Sequence, residues 1–138
     1  MPLCRIALLV LLGVMAGLLA PPANAAETTD LVAAEAQFKK SCGTCHVVET
    51  GTPARQGPNL SAVFGSKAGA QEAFPKYSEA LKKAGTDGLV WDETTLDSWI
   101  TNAAKLVPGS VMPYRQADAV KRKLVIDYLK SLVPAKAP

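Results

Sequence analysis

Cys42-Gly43-Thr44-Cys45-His46 is the stretch on which the reading of this 138-residue chain turns. Two cysteines three positions apart, followed at once by a histidine, form the C-x-x-C-H run of covalent haem attachment. The reason is spacing. On a helical turn, positions i and i+3 share a face, so two thiols there can each bond one vinyl group at the edge of a porphyrin. The next residue brings its imidazole under the ring, where haem iron is commonly held by a proximal histidine. Two other chemistries use the same residue types. A structural zinc site needs four ligands, usually Cys and His, but His46 is the only histidine and Cys4 the only other cysteine. A thiol–disulfide centre also carries C-x-x-C, but in a strand–helix–strand context. Here a helical pattern precedes the motif and a loop rich in Gly and Pro follows it.

Toward the N-terminus, Arg5 is followed by an apolar run, Ile6 to Ala20, then Pro21-Pro22 and Ala23-Asn24-Ala25. A basic residue, an apolar stretch and a small-x-small triplet make the pattern of a secretory signal peptide. The apolar run is shorter than the roughly 20 residues of a membrane span. The expected division is a leader over residues 1–25 and one domain over 26–138, with no stable membrane insertion once the leader is removed and a periplasmic location. Cys4 precedes the apolar run and leaves with it, so the mature chain keeps Cys42 and Cys45. The formal charge falls from +3 to +2 when Arg5 goes. That balance, with no like-charge blocks, excludes a nucleic-acid binder.

Toward the C-terminus the pattern is helical and no strand is expected. Thr28-Thr29-Asp30 offers N-caps for a helix with Leu31, Ala34 and Phe38 on one face. Residues 47–75 hold Gly51, Gly57, Gly65 and Gly69 with Pro53, Pro58 and Pro75, too many breakers for long regular elements. Tyr77 to Ala84 reads as a short helix stopped by Gly85. Asp92 caps another, with Leu96, Trp99, Ile100 and Ala103 sharing a face. In the last helix Val120, Leu124 and Tyr128 form the stripe, widened by Val125, Leu129 and Leu132. Pro134 ends it, and Ala135–Pro138 is a frayed tail. A long loop in a small domain needs a surface to pack on, and a large apolar cofactor supplies one.

An iron held by His46 lacks a sixth ligand. Met1 and Met15 leave with the leader, so Met112 is the methionine that remains, on the loop Pro108-Gly109-Ser110-Val111-Met112-Pro113. Ligation by His and Met fills both axial positions and raises the reduction potential. Substrate would have to displace Met112, so the arrangement implies a one-electron carrier and not an oxygenase or peroxidase.

Leu31 to Leu132 resembles a class I c-type cytochrome of the mitochondrial-like, bacterial periplasmic monohaem kind. Besides the haem motif, the matches are Gly57-Pro58-Asn59-Leu60, Phe64-Gly65, Tyr77, Trp91 and Pro108-Gly109 ahead of Met112. The resemblance implies an all-α cytochrome c fold, several helices wrapped around one haem c bound through Cys42 and Cys45. It implies that the Pro58 carbonyl accepts the second ring N–H of His46, and that Tyr77 and Trp91 donate to a buried haem propionate. It further implies that Trp99 lines the haem near the Met112 sulfur, that Tyr114 shields the haem edge, and that Phe38 and Tyr128 mark the crossing of the first and last helices. The implied activity is electron transfer: a monomeric shuttle between redox protein partners rather than an enzyme.

Some positions depart from the family pattern. Ala34 stands where a Gly is common at the helix crossing. Ser66 stands where an Arg often faces the propionate. Ser41, Ala104 and Val111 occupy positions that are often Lys, while Lys39, Lys40, Arg55 and Lys105 remain near by. Three other roles compete with a free shuttle: a haem subunit bound within a larger oxidoreductase, a thiol–disulfide enzyme, and a ligand sensor from which Met112 departs. The thinned basic rim predicts electron-transfer rates with acidic partners that fall only modestly as salt rises through the physiological range. Stopped-flow rates against ionic strength check this, and a steep fall contradicts it.

Overall fold

The computed structural model describes residues 23–133, with side chains from Asp30 onward. The greater part of the expected leader, residues 1–22, lies outside the described residues, as do Pro134 and the tail Ala135–Pro138. Four helices follow one another: α1 (Ala23–Ser41), α2 (Glu79–Thr86), α3 (Glu93–Leu106) and α4 (Ala119–Ser131). Among the described residues there is no strand, only an isolated antiparallel bridge between Lys67 and Val90. The all-α class is as expected, and none of these helices is long and apolar enough to cross a membrane.

Helix α1 begins at Ala23, so Thr28-Thr29-Asp30 lies within it and not at its cap. Ala34 and Phe38 are buried, whereas Leu31 is largely exposed. Phe38 meets Tyr128 of α4 with ring centroids 5.1 Å apart, which marks the crossing of the first and last helices. Lys39 and Lys40 occupy the last turn of α1, beside its free carbonyls.

Helix α2 differs from expectation at both ends. It starts at Glu79, capped by Ser78, whose Oγ accepts from Leu81 N at 3.2 Å. It runs through Gly85 to Thr86 instead of stopping before the glycine. Gly85 is buried because the loop crosses it: a Cβ at this position would lie 1.8 Å from the Ala68 carbonyl oxygen. Its role is close approach and not termination.

Helix α3 follows the sequence closely. Asp92 accepts from Thr95 N at 2.8 Å while Thr95 Oγ1 accepts from Asp92 N at 2.9 Å, a reciprocal capping box. Leu96, Trp99, Ile100 and Ala103 are all buried. Asn102 breaks the helical geometry (φ −167°, ψ 98°), and the Ile100 carbonyl accepts from Gln116 N at 2.9 Å.

Helix α4 is capped by Asp118, whose Oδ1 accepts from Val120 N at 2.9 Å and Lys121 N at 3.2 Å. The bond from Lys121 N leads the effects that hold this carboxyl below the usual carboxylate range. The buried residues are Val125, Ile126 and Leu129. Val120 is 70% exposed, and Leu124, Tyr128 and Leu132 are half-buried. The stripe is therefore rotated from the expected one. α4 packs on both α1 and α3, so two neighbours set its buried face, and Ile126 turns inward with Val125.

Substituting Gly85→Ala forces a methyl group against the Ala68 backbone, and overpacking of this kind costs about 1–3 kcal/mol. Chemical denaturation beside the exposed-site control Thr86→Ala measures it. Equal stability of the two variants would contradict the close-approach role.

Candidate haem site

The five-residue motif continues the last turn of α1. Cys42 N and Gly43 N both donate to the Phe38 carbonyl, at 2.7 and 3.2 Å, and Cys45 N and His46 N donate to the Cys42 carbonyl at 3.0 and 2.9 Å. The following loop returns and ties itself to this turn. Arg55 Nη1 donates to the Gly43 carbonyl at 2.8 Å, and Gly57 N to the Cys45 carbonyl at 2.9 Å.

His46 is oriented by that loop. Its Nδ1 lies 2.8 Å from the Pro58 carbonyl oxygen. A carbonyl only accepts, so Nδ1 carries the proton and Nε2 keeps its lone pair. Burial pushes the imidazole below its ordinary basicity, and the Pro58 bond opposes this in part. Burial therefore favours a neutral ring, and the Pro58 bond fixes which nitrogen is left available to a metal. Gly57 makes room for the ring: a Cβ there would lie 2.2 Å from His46 Cε1.

Asn59 holds the loop in shape. Its Nδ2 donates to the carbonyls of Glu49 and Thr52, both at 2.9 Å. Its Oδ1 accepts from Ser61 N at 2.9 Å, and its own carbonyl accepts from Gln71 Nε2 at 2.8 Å. Leu60 N donates to the Val47 carbonyl at 2.8 Å.

Cys42, Cys45, His46, Pro58, Tyr77, Trp91, Trp99 and Met112 all line one cavity of about 570 Å³. Every site residue expected from the sequence is thus brought to the same place. Leu60, Leu81, Leu96, Ile100, Val125 and Leu129 complete its apolar walls, and Tyr114 also faces it. Trp91 and Trp99 pack with centroids 5.1 Å apart, and Phe74 meets Tyr77 edge-on at 4.9 Å. Burial raises the Tyr77 phenol above its ordinary pKa, against a lesser pull from the Gln71 backbone, so its O–H remains a donor at neutral pH.

The size suits a cofactor pocket, and the donor set suits haem: two thiols, an imidazole with a free Nε2, and a thioether within an apolar shell. It does not suit a thiol–disulfide centre. Such a centre needs a thiolate near neutral pH, whereas burial, aided by the neighbouring Cys45, pushes the Cys42 thiol up to about 12. Among the described residues no cluster of three or more His, Cys, Asp or Glu side chains is placed to hold a metal ion.

The positions that depart from the family pattern are also defined. Ser66 Oγ donates to the Val63 carbonyl at 2.7 Å, and the cation among the described lining residues is Lys76. Ser41 and Val111 line the cavity, Val111 being 72% exposed. Lys39, Lys40, Arg55 and Lys105 are exposed, with Lys39 paired to Glu35 at 2.7 Å. Gly57, Asn59 and the aliphatic wall residues were not assigned site roles from the sequence. The Gly57-Pro58-Asn59-Leu60 run was visible there, but what it touches was not.

The chain is 37% identical to cytochrome c of Chlamydomonas reinhardtii over 73% of its own length and 88% of the relative's. It is 35% identical to cytochrome c-550 of Novispirillum itersonii over 70% of its length and 94% of that protein's. In structure it matches cytochrome cH from Methylobacterium extorquens with a TM-score of 0.63 at 38% identity, covering 74% of this chain and 98% of that one. No family model matches the chain. By these similarities the chain belongs to the class I c-type cytochromes, electron-transfer proteins that carry haem c covalently, here through Cys42 and Cys45.

Proposed function

We propose that the protein is a monomeric one-electron shuttle of a periplasmic electron-transport chain, with His46 and Met112 as the axial ligands of its iron. The observation that carries this reading is the bond between His46 Nδ1 and the Pro58 carbonyl, in the cavity that Met112 also lines. The bond commits Nδ1 and leaves Nε2 to the metal, and it makes the imidazole a stronger donor. When bound, the haem supplies an iron that changes its charge by one.

The residues around it explain why that change is the whole of the chemistry. Met112 offers a soft thioether, which favours the reduced state and closes the position a substrate would need. The aliphatic walls keep water away and so disfavour the additional charge of the oxidised state. Tyr77 and Trp91 bring an O–H and an indole N–H to the cavity as donors for a propionate. Trp99 donates but cannot accept, so a role near the Met112 sulfur is limited to donation. Ser66 adds no positive charge, which leaves compensation of a propionate to neutral donors and Lys76.

The leader pattern of Arg5, Ile6–Ala20 and Ala23-Asn24-Ala25 supports export, as does haem attachment outside the cytoplasm in bacteria. Cleavage after Ala25 would shorten α1 at its beginning and retain Ala34 and Phe38, its buried residues. The partners are redox proteins, one donating and one accepting. N-terminal sequencing of the exported protein should read from Ala26; an intact Met1 would contradict the cleavage.

For the ligands, the test is the visible spectrum of the purified holoprotein beside Met112→Ala. The parent should show sharp c-type bands when reduced and, when oxidised, the weak long-wavelength band that the resemblance to His/Met cytochromes implies. Met112→Ala should lose that band while keeping its covalent haem. A band that survives in Met112→Ala would rule out the thioether as a ligand.

A further inference from the structure

Met112 sits on a strap that leaves α3 at Val107 and reaches α4 at Ala119. The strap's upstream end is held locally, by Val107 N on the Ala103 carbonyl at 2.8 Å and Ser110 N on the Val107 carbonyl at 3.0 Å. Its downstream end is held across the fold. Gln116 N donates to the Ile100 carbonyl at 2.9 Å, beside the break at Asn102. Arg122 of α4 donates Nη1 to the carbonyls of Gln116 at 3.1 Å and Ala117 at 2.8 Å. The same guanidinium donates Nε and Nη2 to the Asp97 carboxylate of α3, at 2.7 and 3.4 Å. Between these ends, among the described residues, the backbone of 111–115 makes no hydrogen bond.

We propose that Arg122, held by Asp97, is a positioning residue for Met112: it fixes the downstream end of the strap and so sets how readily the thioether leaves the iron. The proposal rests on the reading of Met112 as a ligand. Its physical basis is that one rigid fork serves two tasks. Guanidinium donors lie in a fixed plane, so the carboxylate on α3 and the two strap carbonyls share one geometry. The Arg122 side chain is only 12% exposed. Pulling the strap away would leave a charged, partly buried donor without its partners, the expensive case among hydrogen bonds. Lysine would keep the charge but not the fork. A second ion pair, Lys130 with Glu93, also joins α4 to α3, but both its side chains are more than half exposed and neither bonds to the strap. It provides an internal comparison.

The experiment mixes oxidised holoprotein with imidazole and follows the spectral change as imidazole replaces the sixth ligand. Arg122→Lys and Asp97→Asn should each speed imidazole entry about tenfold, the scale of one lost charge-assisted hydrogen bond. Glu93→Gln should leave the rate unchanged, and Met112→Ala should bind imidazole faster than any of them. If Met112→Ala binds no faster than the parent, the ligand assignment fails and the proposal falls with it. If Met112→Ala is fast but Arg122→Lys and Asp97→Asn remain as slow as the parent, the clamp alone is overturned. It is also overturned if Glu93→Gln accelerates entry as much as they do, because general loosening between α3 and α4 then explains the effect. Far-UV denaturation midpoints on the same proteins show whether rate follows global stability.

Discussion

One apolar cavity has to be walled by a short chain, and the rest of the architecture follows from that requirement. Among the described helices, direct packing occurs only between α1 and α4 and between α3 and α4. α2 packs on no other helix; it is placed by Ala68 against Gly85 and by Leu81 on the cavity wall. The loop and the strap contribute their walls in the same way, through Leu60 and Met112. Burying an aliphatic side chain is worth roughly 1.5–3 kcal/mol, and for the side chains of these segments that line the cavity a bound haem would supply the surface to bury against. Covalent attachment at Cys42 and Cys45 makes that group a permanent part of the core.

The His46 imidazole is held in the cavity by its neighbours on the loop. Its ring is bounded by Gly57 on one side and bonded to Pro58 on another, and both residues come from a loop that is itself tied back to Gly43 and Cys45. Three adjacent loop positions thus provide clearance at 57, orientation at 58 and loop closure at 59. Met112 is held differently. Its strap is hydrogen-bonded at its two ends, while among the described residues the backbone of 111–115 between them makes no hydrogen bond.

The haem motif and the α3 cap were legible because their chemistry is local: Cys42 to His46 and Asp92 to Thr95 each act within one turn. The cavity residues named from the resemblance also came together. What was not legible depended on neighbours distant in the chain. Gly85 looked like a stop because glycine ends helices often, but Ala68 decides its role. The face of α4 could not be set from its own period, since two helices press on it and bring Ile126 inward while Val120 stays out. The start of α1 was misplaced because Thr28, Thr29 and Asp30 are good caps that a longer helix passes through. The clearance at Gly57 has no signal of its own, because the ring it admits belongs to the motif.

Asn59 shows how a loop without strands is kept rigid. One side-chain amide faces two carbonyls with its nitrogen and one backbone N–H with its oxygen. This concentrates the order of the loop in a single functional group that is chemically perishable. Hydrolysis of this amide to an aspartate carboxylate would keep the oxygen that Ser61 N uses, yet replace the shared donor by an acceptor aimed at the carbonyls of Glu49 and Thr52. Ageing at one amide would then set like partial charges against each other at the base of the loop that orients His46, turning its fastening into the point from which it opens.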